Sequence, residues 1–323
     1  MVGSLISGNE GAPAQPMKQE GAFPTKRPEF VELFCGIGGF AASIRDLAKV
    51  KIAVDISEKA LDVYRLNFSH LMLCKTIESL TVEQTESWSE SSWWLSPPCQ
   101  PFTRRGKQAD LDDPRCQAFL NVLRLIDEHR PPEIALENVP EFENSRAFDR
   151  LKNLLCDAGY SFQFRTICPT QMGFRNRRLR FYLVAAKKRL NEWRDLPSET
   201  QRHTESTSHI DLKQLWLNRE DEQNYLDAID LVELSDQTAC FTSAYGRSVV
   251  RSGSYMRTAD GIRRFSPAEI LDQLGFDSDF RLPDEPYKRL WPLVGNSVSI
   301  PVVRYVTSHL PSLCPQTCRN STP

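Results

Sequence analysis

The chain lacks any apolar run approaching the ~20 residues that a membrane helix requires, and its N-terminus lacks the apolar core of a secretory signal. No membrane partner is therefore expected, and the predicted location is the cytoplasm. An excess of either charge is also missing. A formal net charge of −2 argues against a protein that coats nucleic acid indiscriminately, because nonspecific phosphate binding scales with clustered Lys and Arg. Two cysteine pairs at matching metal-ligand spacings are absent as well. The nine cysteines are odd in number, scattered, and mostly set in apolar segments such as Leu71-Met72-Leu73-Cys74, which suits reduced thiols better than a disulfide framework. Cys314 and Cys318 sit in a polar tail with no second ligand pair, so no metal site is expected. Internal repeats are lacking, and nothing in the composition demands self-association, so a monomer is expected.

What is present is enough chain, 323 residues, for one larger domain and a smaller one. Residues 1–27 are rich in Gly, Ala, Pro and Gln without apolar periodicity and read as a disordered tail. Order begins with Phe30-Val31-Glu32-Leu33-Phe34, a strand, followed by the tight turn Cys35-Gly36-Ile37-Gly38-Gly39 and a helix over 40–48. Lys51 to Val54 forms the next strand, Asp55 ends it, and Ser57 caps a helix carrying Ala60, Val63, Tyr64 and Phe68. Further strands are expected at 71–74, 93–95, 134–136 and 181–185, with helices over 119–128 and 147–158. This alternation predicts an α/β fold, a doubly wound, mostly parallel sheet with helices on both faces. The first, larger domain is placed at 28–186. A polar, Glu- and Arg-rich region with amphipathic pieces at 212–217 and 225–234 is placed at 187–260 as a smaller domain, before a return to the first domain at 261–310 and a flexible tail at 311–323. Ser266-Pro267-Ala268-Glu269 opens a helix with a capping box.

Five motifs carry chemistry. In Ser96-Pro97-Pro98-Cys99-Gln100-Pro101-Phe102, three prolines stiffen the backbone around a cysteine that follows the apolar run Trp93-Trp94-Leu95. A lone cysteine is ordinarily a small hydrophobe, but this loop leaves the carboxyl end of a strand, where open α/β sheets bind ligands. Gly36-x-Gly38-Gly39 lets backbone approach a ligand, and Asp55 can accept from ribose hydroxyls. The spacing departs from GxGxxG, which favours an adenosyl cofactor without a pyrophosphate, although such turns also occur where nothing binds. Glu137-Asn138-Val139 puts a carboxylate at the same sheet edge as Cys99. Arg178-Leu179-Arg180 reads as alternate strand positions presenting two guanidiniums on one side, for a base carbonyl or phosphates. Gly295-Asn296-Ser297 is a polar turn between apolar segments.

In this order the motifs resemble those of the cytosine-C5 methyltransferase family over about residues 30–305. The details look like its transfer-RNA aspartate branch, through Phe102-Thr103-Arg104-x-Gly106-x-Gln108, Lys75-Thr76-Ile77-Glu78 and above all Cys240-Phe241-Thr242 followed by Tyr245-Gly246 and Gly253-Ser254. The resemblance implies a Rossmann-like class I methyltransferase with a small target-recognition domain. It implies S-adenosylmethionine as cofactor and C5 methylation of a cytosine in a transfer-RNA anticodon loop, with Cys99 adding covalently to C6. DNA is the second candidate substrate, and a catalytically silent nucleic-acid-binding protein of the same fold is the alternative outside enzymes. Cys99, Glu137, Arg178 and Arg180 are the implied catalytic residues, with Arg178 on the base O2. Phe34, Gly36, Ile37, Gly38, Gly39, Asp55, Ile56, Thr76, Ile77, Ser96, Asn296 and Ser297 are the implied cofactor residues. Arg104, Lys107, Cys240, Phe241, Thr242, Arg247 and Arg251 are the candidates for RNA contact. Three places depart from the pattern: Pro140 stands where the branch carries a basic residue, Arg175-Asn176-Arg177 where the wider family carries a Pro-Gln pair, and Thr76 where DNA enzymes carry an Asp for the adenine.

Overall fold

The computed structural model describes residues 27–98, 116–198, 211–233 and 236–314. All but the last residue of the expected tail at 1–27, residues 315–323, and the Cys99, Arg104 and Lys107 assignments lie outside the described residues. The first half alternates as anticipated: β1 (Glu29–Leu33), α1 (Gly39–Ile44), β2 (Lys49–Asp55), α2 (Glu58–Asn67), β3 (Leu71–Cys74), α3 (Val82–Thr85), β4 (Ser92–Leu95), α4 (Gln117–His129), β5 (Glu133–Asn138) and α5 (Arg146–Asp157). Two further strands, β6 (Ser161–Ile167) and β7 (Arg180–Ala186), complete a sheet ordered β3-β2-β1-β4-β5-β7-β6. Strands β1 to β5 run parallel, and β7 is antiparallel to both its neighbours.

The central strands are buried on both faces, so their side chains alternate between two cores rather than between core and water. Val31, Leu33, Trp93, Leu95, Leu136 and Leu183 face one layer with Phe119, Phe148 and Leu151 of α4 and α5. Phe30, Trp94, Ala135, Tyr182 and Val184 face the other, where Phe40 of α1 stacks on Trp94 at 4.8 Å. The second layer is completed late in the chain by Val302, Val303 and Val306, so the return to the first domain is needed to cover the sheet.

After β7 come α6 (Arg219–Tyr225), β8 (Asp230–Val232), β9 (Ser254–Thr258), β10 (Gly261–Arg264), α7 (Pro267–Gln273), α8 (Tyr287–Gly295) and α9 (Ile300–Thr307). Strands β8, β9 and β10 form a separate three-stranded sheet over a core of Leu215, Phe241, Tyr245, Tyr255, Ile262 and Trp291. Several sequence expectations shift. Strand β6 was not anticipated, because its alternation of Phe162 and Phe164 with polar residues suits a half-exposed edge strand. The amphipathic piece expected over 225–234 breaks instead into the end of α6, a 3-10 turn and β8. The smaller region extends to Arg264, since Arg264 pairs with Tyr255 across β10 and β9. At its other end, Leu190, Trp193 and Leu196 pack onto the α9 layer of the main core. The expected flexible tail also begins too early: Ser312 donates through its amide and hydroxyl to the buried Glu133 carboxylate, and Leu313 and Cys314 are buried. The capping box at Ser266 and Glu269 is present as expected.

Candidate active site

The topology gathers the motifs on one edge of the sheet. The carboxyl ends of β1, β2, β4 and β5 release the glycine turn, Asp55, the Ser96-Pro97-Pro98 segment and Glu137. Strand β7 runs the opposite way, so its first residue, Arg180, arrives at the edge where β5 ends; the register pairs Glu137 with Tyr182 and Asn138 with Phe181. Arg180 Nε lies 3.2 Å from Glu137 Oε1. The Ser96 hydroxyl reaches Glu137 Oε2 at 3.5 Å. Asn138 ties the two edges together, donating from Nδ2 to the Pro97 carbonyl at 3.3 Å while its Oδ1 accepts the Val139 amide at 2.8 Å. The last described residues before Cys99 are thus anchored to the strand that carries Glu137.

At the other half of this edge, the turn after β1 is held by Asp55. Its Oδ2 accepts the Gly36 amide and its Oδ1 the Ser57 amide, each at 2.8 Å. Burial raises the Asp55 carboxyl above its usual range. Gly38 has φ +93°, and a Cβ there would lie 2.5 Å from Phe68. A Cβ on Gly39 would lie 2.6 Å from Val298 and 3.0 Å from the Ser297 hydroxyl, whereas one on Gly36 would face open space. The turn therefore packs tightly on its inner side and is open at Gly36. Ile56, exposed by 68%, presents an apolar side chain at the end of β2. Thr76 and Ile77 follow β3, and Asn296 is exposed beside the buried Ser297. Cys35 is buried and its thiol is pushed far up by burial, so it is no nucleophile.

Arg178 departs from expectation. It precedes β7 rather than sharing a strand face with Arg180, and it is buried. Its Nη1 donates to the carbonyls of Phe241 at 3.1 Å and Gly295 at 3.2 Å, and its Nη2 to that of Ser297. Three guanidinium N–H groups are thus engaged with backbone carbonyls, while Nε is buried without a hydrogen-bond partner among the described residues. The segment that meets it is docked by Asn176, whose side-chain amide donates to Thr238 Oγ1 at 3.1 Å and the Ala239 carbonyl at 2.9 Å. Gly295 is required at the junction, since a Cβ would come within 2.4 Å of the Thr242 carbonyl oxygen.

A family profile described as C-5 cytosine-specific DNA methylase matches residues 29–239. The chain belongs to that family. A Schizosaccharomyces pombe protein named tRNA (cytosine(38)-C(5))-methyltransferase is 29% identical over 88% of this chain and 97% of its own length. The Bos taurus protein of the same name is 28% identical over 84% of this chain and 96% of its own. Among solved structures, the Entamoeba histolytica methyltransferase EhMeth superposes with a TM-score of 0.81 at 26% identity, covering 88% of this chain and 98% of that one. The mostly parallel seven-stranded sheet is the Rossmann-like methyltransferase fold.

Membership makes the chain a methyltransferase that takes its methyl group from S-adenosylmethionine. The glycine turn fits such a cofactor: open at Gly36, bordered by the exposed Ile56, and held by the Asp55 carboxylate through the Gly36 and Ser57 amides. Among the described residues no helix is long and apolar enough to cross a membrane, and no cluster of side chains suits a metal ion.

The residues expected at the RNA surface divide. Arg247 and Arg251 are exposed. Phe241 is not available: it is buried against Tyr245 at 5.0 Å and Phe265 at 5.4 Å, a correction that follows from its place in the small core. Thr242 is partly buried and accepts the Ala244 amide. Cys240 turns its sulfur toward Arg178 and Arg180. Sequence reasoning missed Asn138 as a clamp, although its place in the Glu137-Asn138-Val139 motif was the available signal. It also missed Asn176 and Thr238, whose pairing has no local signature.

Proposed function

We propose that this chain methylates C5 of a cytosine in a transfer-RNA anticodon loop, with the aspartate transfer RNA as the expected species, through a transient bond between Cys99 and cytosine C6. The observation that carries this reading is the Glu137–Arg180 pair at the strand edge from which the Cys99 loop departs. Cytosine C5 is a weak nucleophile. When the Cys99 sulfur adds to C6, the C5–C6 electron pair becomes available at C5, where bound S-adenosylmethionine would supply the methyl group, its S–CH3 bond breaking to leave the neutral thioether S-adenosylhomocysteine. Glu137 holds N3 and the exocyclic amino group as charge builds in the ring, and Arg180 takes O2, the role sequence reading had given to Arg178. Loss of the C5 proton to a base or water then returns the electron pair that expels Cys99 and restores the ring. Phe34, Gly36, Ile37, Gly38, Gly39, Asp55, Ile56, Thr76, Ile77, Ser96, Asn296 and Ser297 border the cofactor in this scheme.

Two features support RNA over duplex DNA. The Schizosaccharomyces pombe and Bos taurus relatives are named as transfer-RNA enzymes, and the second sheet has three short strands among the described residues, a small platform for reading a duplex. A cytosine in a loop also reaches the site at low unstacking cost. Arg104, Lys107, Arg247 and Arg251 are the proposed backbone contacts. The test is methyl transfer from labelled S-adenosylmethionine to total transfer RNA and to duplex DNA, with 5-methylcytosine mapped in the product. Incorporation into transfer RNA, together with covalent trapping by a 5-fluorocytosine substrate, is expected. Incorporation into duplex DNA alone would move the substrate to DNA. No turnover with unchanged RNA binding by Cys99→Ala would reduce the protein to a binding module.

A further inference from the structure

Arg178 is a buried cation whose described carbonyl partners, those of Phe241, Gly295 and Ser297, carry no net charge. An ionised group removed from water needs a counter-charge, and no carboxylate is among its described contacts. The remaining partner is the Cys240 sulfur, 3.3 Å from Arg178 Nη1. The same sulfur is 3.6 Å from Nη2 of Arg180, whose Nε is the atom that meets Glu137. One sulfur therefore sits between two guanidiniums, one locked into the junction of the two sheets and the other pointing into the site.

We propose that Cys240 is a positioning residue for methyl transfer: its sulfur, as a thiolate, is the counter-ion of Arg178 and the second anchor of Arg180, holding the Arg180 guanidinium against Glu137. A neutral thiol is only a weak acceptor and cannot hold two charged donors, whereas a thiolate can. In the thiol form the sulfur donates instead to the Phe241 carbonyl at 3.5 Å, so loss of the proton releases that carbonyl entirely to Arg178. Burial alone raises the Cys240 thiol, but Arg178 and Arg180 overcome it and bring it below its ordinary value. The other charged or titratable groups nearby are Glu137 and Tyr182, on the far side of Arg180, and Asp230, which accepts the Ala239 amide at 3.3 Å. The arrangement rests on the proposed roles of Glu137 and Arg180, but the state of the sulfur does not.

The test uses the full chain labelled with [3-13C]cysteine. The Cβ resonance that disappears in Cys240→Ser is expected to titrate below the free-thiol value of about 8.5, and to move upward in Arg178→Gln. A midpoint at or above the free value would overturn the proposal. In transfer-RNA methylation, Cys240→Ser and Cys240→Ala are expected to lose about 10- to 100-fold in kcat with KM for RNA and cofactor affinity within about threefold, as a misplaced group costs rate rather than binding. Cys240→Asp, which restores an anion, is expected to recover part of that loss. Serine or alanine at full rate would sink the positioning role. If the parent enzyme methylates no RNA, the functional reading falls while the titration still decides whether Cys240 is an anion.

Discussion

Arg180 and Glu137 stand on neighbouring antiparallel strands and meet Nε to Oε1 at 3.2 Å, each largely shielded from solvent. The pairing exists because β7 is inserted against the direction of the sheet, so an arginine at its start falls beside a glutamate near the end of β5. Replacing Arg180 by Gln leaves a buried carboxylate without its cation, and a loss of about 2–4 kcal/mol in unfolding free energy is expected. The kcat should fall about 10²-fold or more. Arg180→Lys should restore stability better than rate, because an ammonium cannot address Glu137, Cys240 and a substrate oxygen together. Denaturant titration and steady-state kinetics on the same variants measure both; equal rates for Lys and Arg would contradict the geometric requirement.

Asn138→Ala removes the clamp between β5 and the Pro97 carbonyl. The side chain is buried and both of its polar ends are used, so about 1–3 kcal/mol of stability should be lost. Because Pro97 lies two residues before Cys99, kcat should drop while cofactor affinity stays near that of the parent. Calorimetric titration with S-adenosylmethionine, compared with single-turnover rates, separates the two effects. Weakened cofactor binding with an unchanged rate would be the opposite of what the clamp predicts.

Gly39→Ala forces a methyl group to within 2.6 Å of Val298 and 3.0 Å of the Ser297 hydroxyl. Overpacking of this kind costs about 1–3 kcal/mol. Since the displaced atoms border the glycine turn, cofactor affinity should fall alongside stability. The thermal shift produced by saturating S-adenosylmethionine should shrink in the variant. A shift of full size would show that the turn tolerates the displacement.

Glu32 carries a pH dependence. Burial pushes its carboxyl up to about 8, against hydrogen bonds from Tyr64 and the amides of α1 that favour the charged form. The folded value lies above the unfolded one of about 4.5, so the contribution to stability is full below pH 4.5 and is lost as pH rises through about 8. The parent should therefore lose on the order of 3–5 kcal/mol across that window relative to Glu32→Gln, which does not titrate. His70, which burial lowers to about 4, shares the Tyr64 hydroxyl with Glu32, its Nε2 lying 2.8 Å from that oxygen, and it titrates below this window. Urea denaturation of the pair at several pH values provides the check, and parallel curves would refute it.

Much of the first sheet was legible because β1, β2, β4, β5 and β7 are short apolar runs, and parallel strands buried on both faces demand such runs. Asp55, Glu137 and the glycine turn were legible because each follows one of these runs directly, where a sheet edge must be. Strand β6 was not, since an edge strand with one half-wet face has no strong signal. Nor was the environment of Arg178, whose carbonyl partners at Gly295 and Ser297 come more than a hundred residues later in the chain. Phe241 shows the same limit: within its tripeptide nothing distinguishes a base-stacking aromatic from a core one, and its burial depends on Tyr245, Phe265 and the second sheet.

The amino-acid order alone determined the alternating architecture, the glycine turn after β1 and the strand-end positions of Asp55 and Glu137, because these depend on local stiffness, periodicity and residue chemistry. Which of two neighbouring arginines meets the glutamate, and which sulfur stands between them, was decided only when distant segments closed on one another. Burial and charge pairing are properties of that closure, and no stretch of chain contains them by itself.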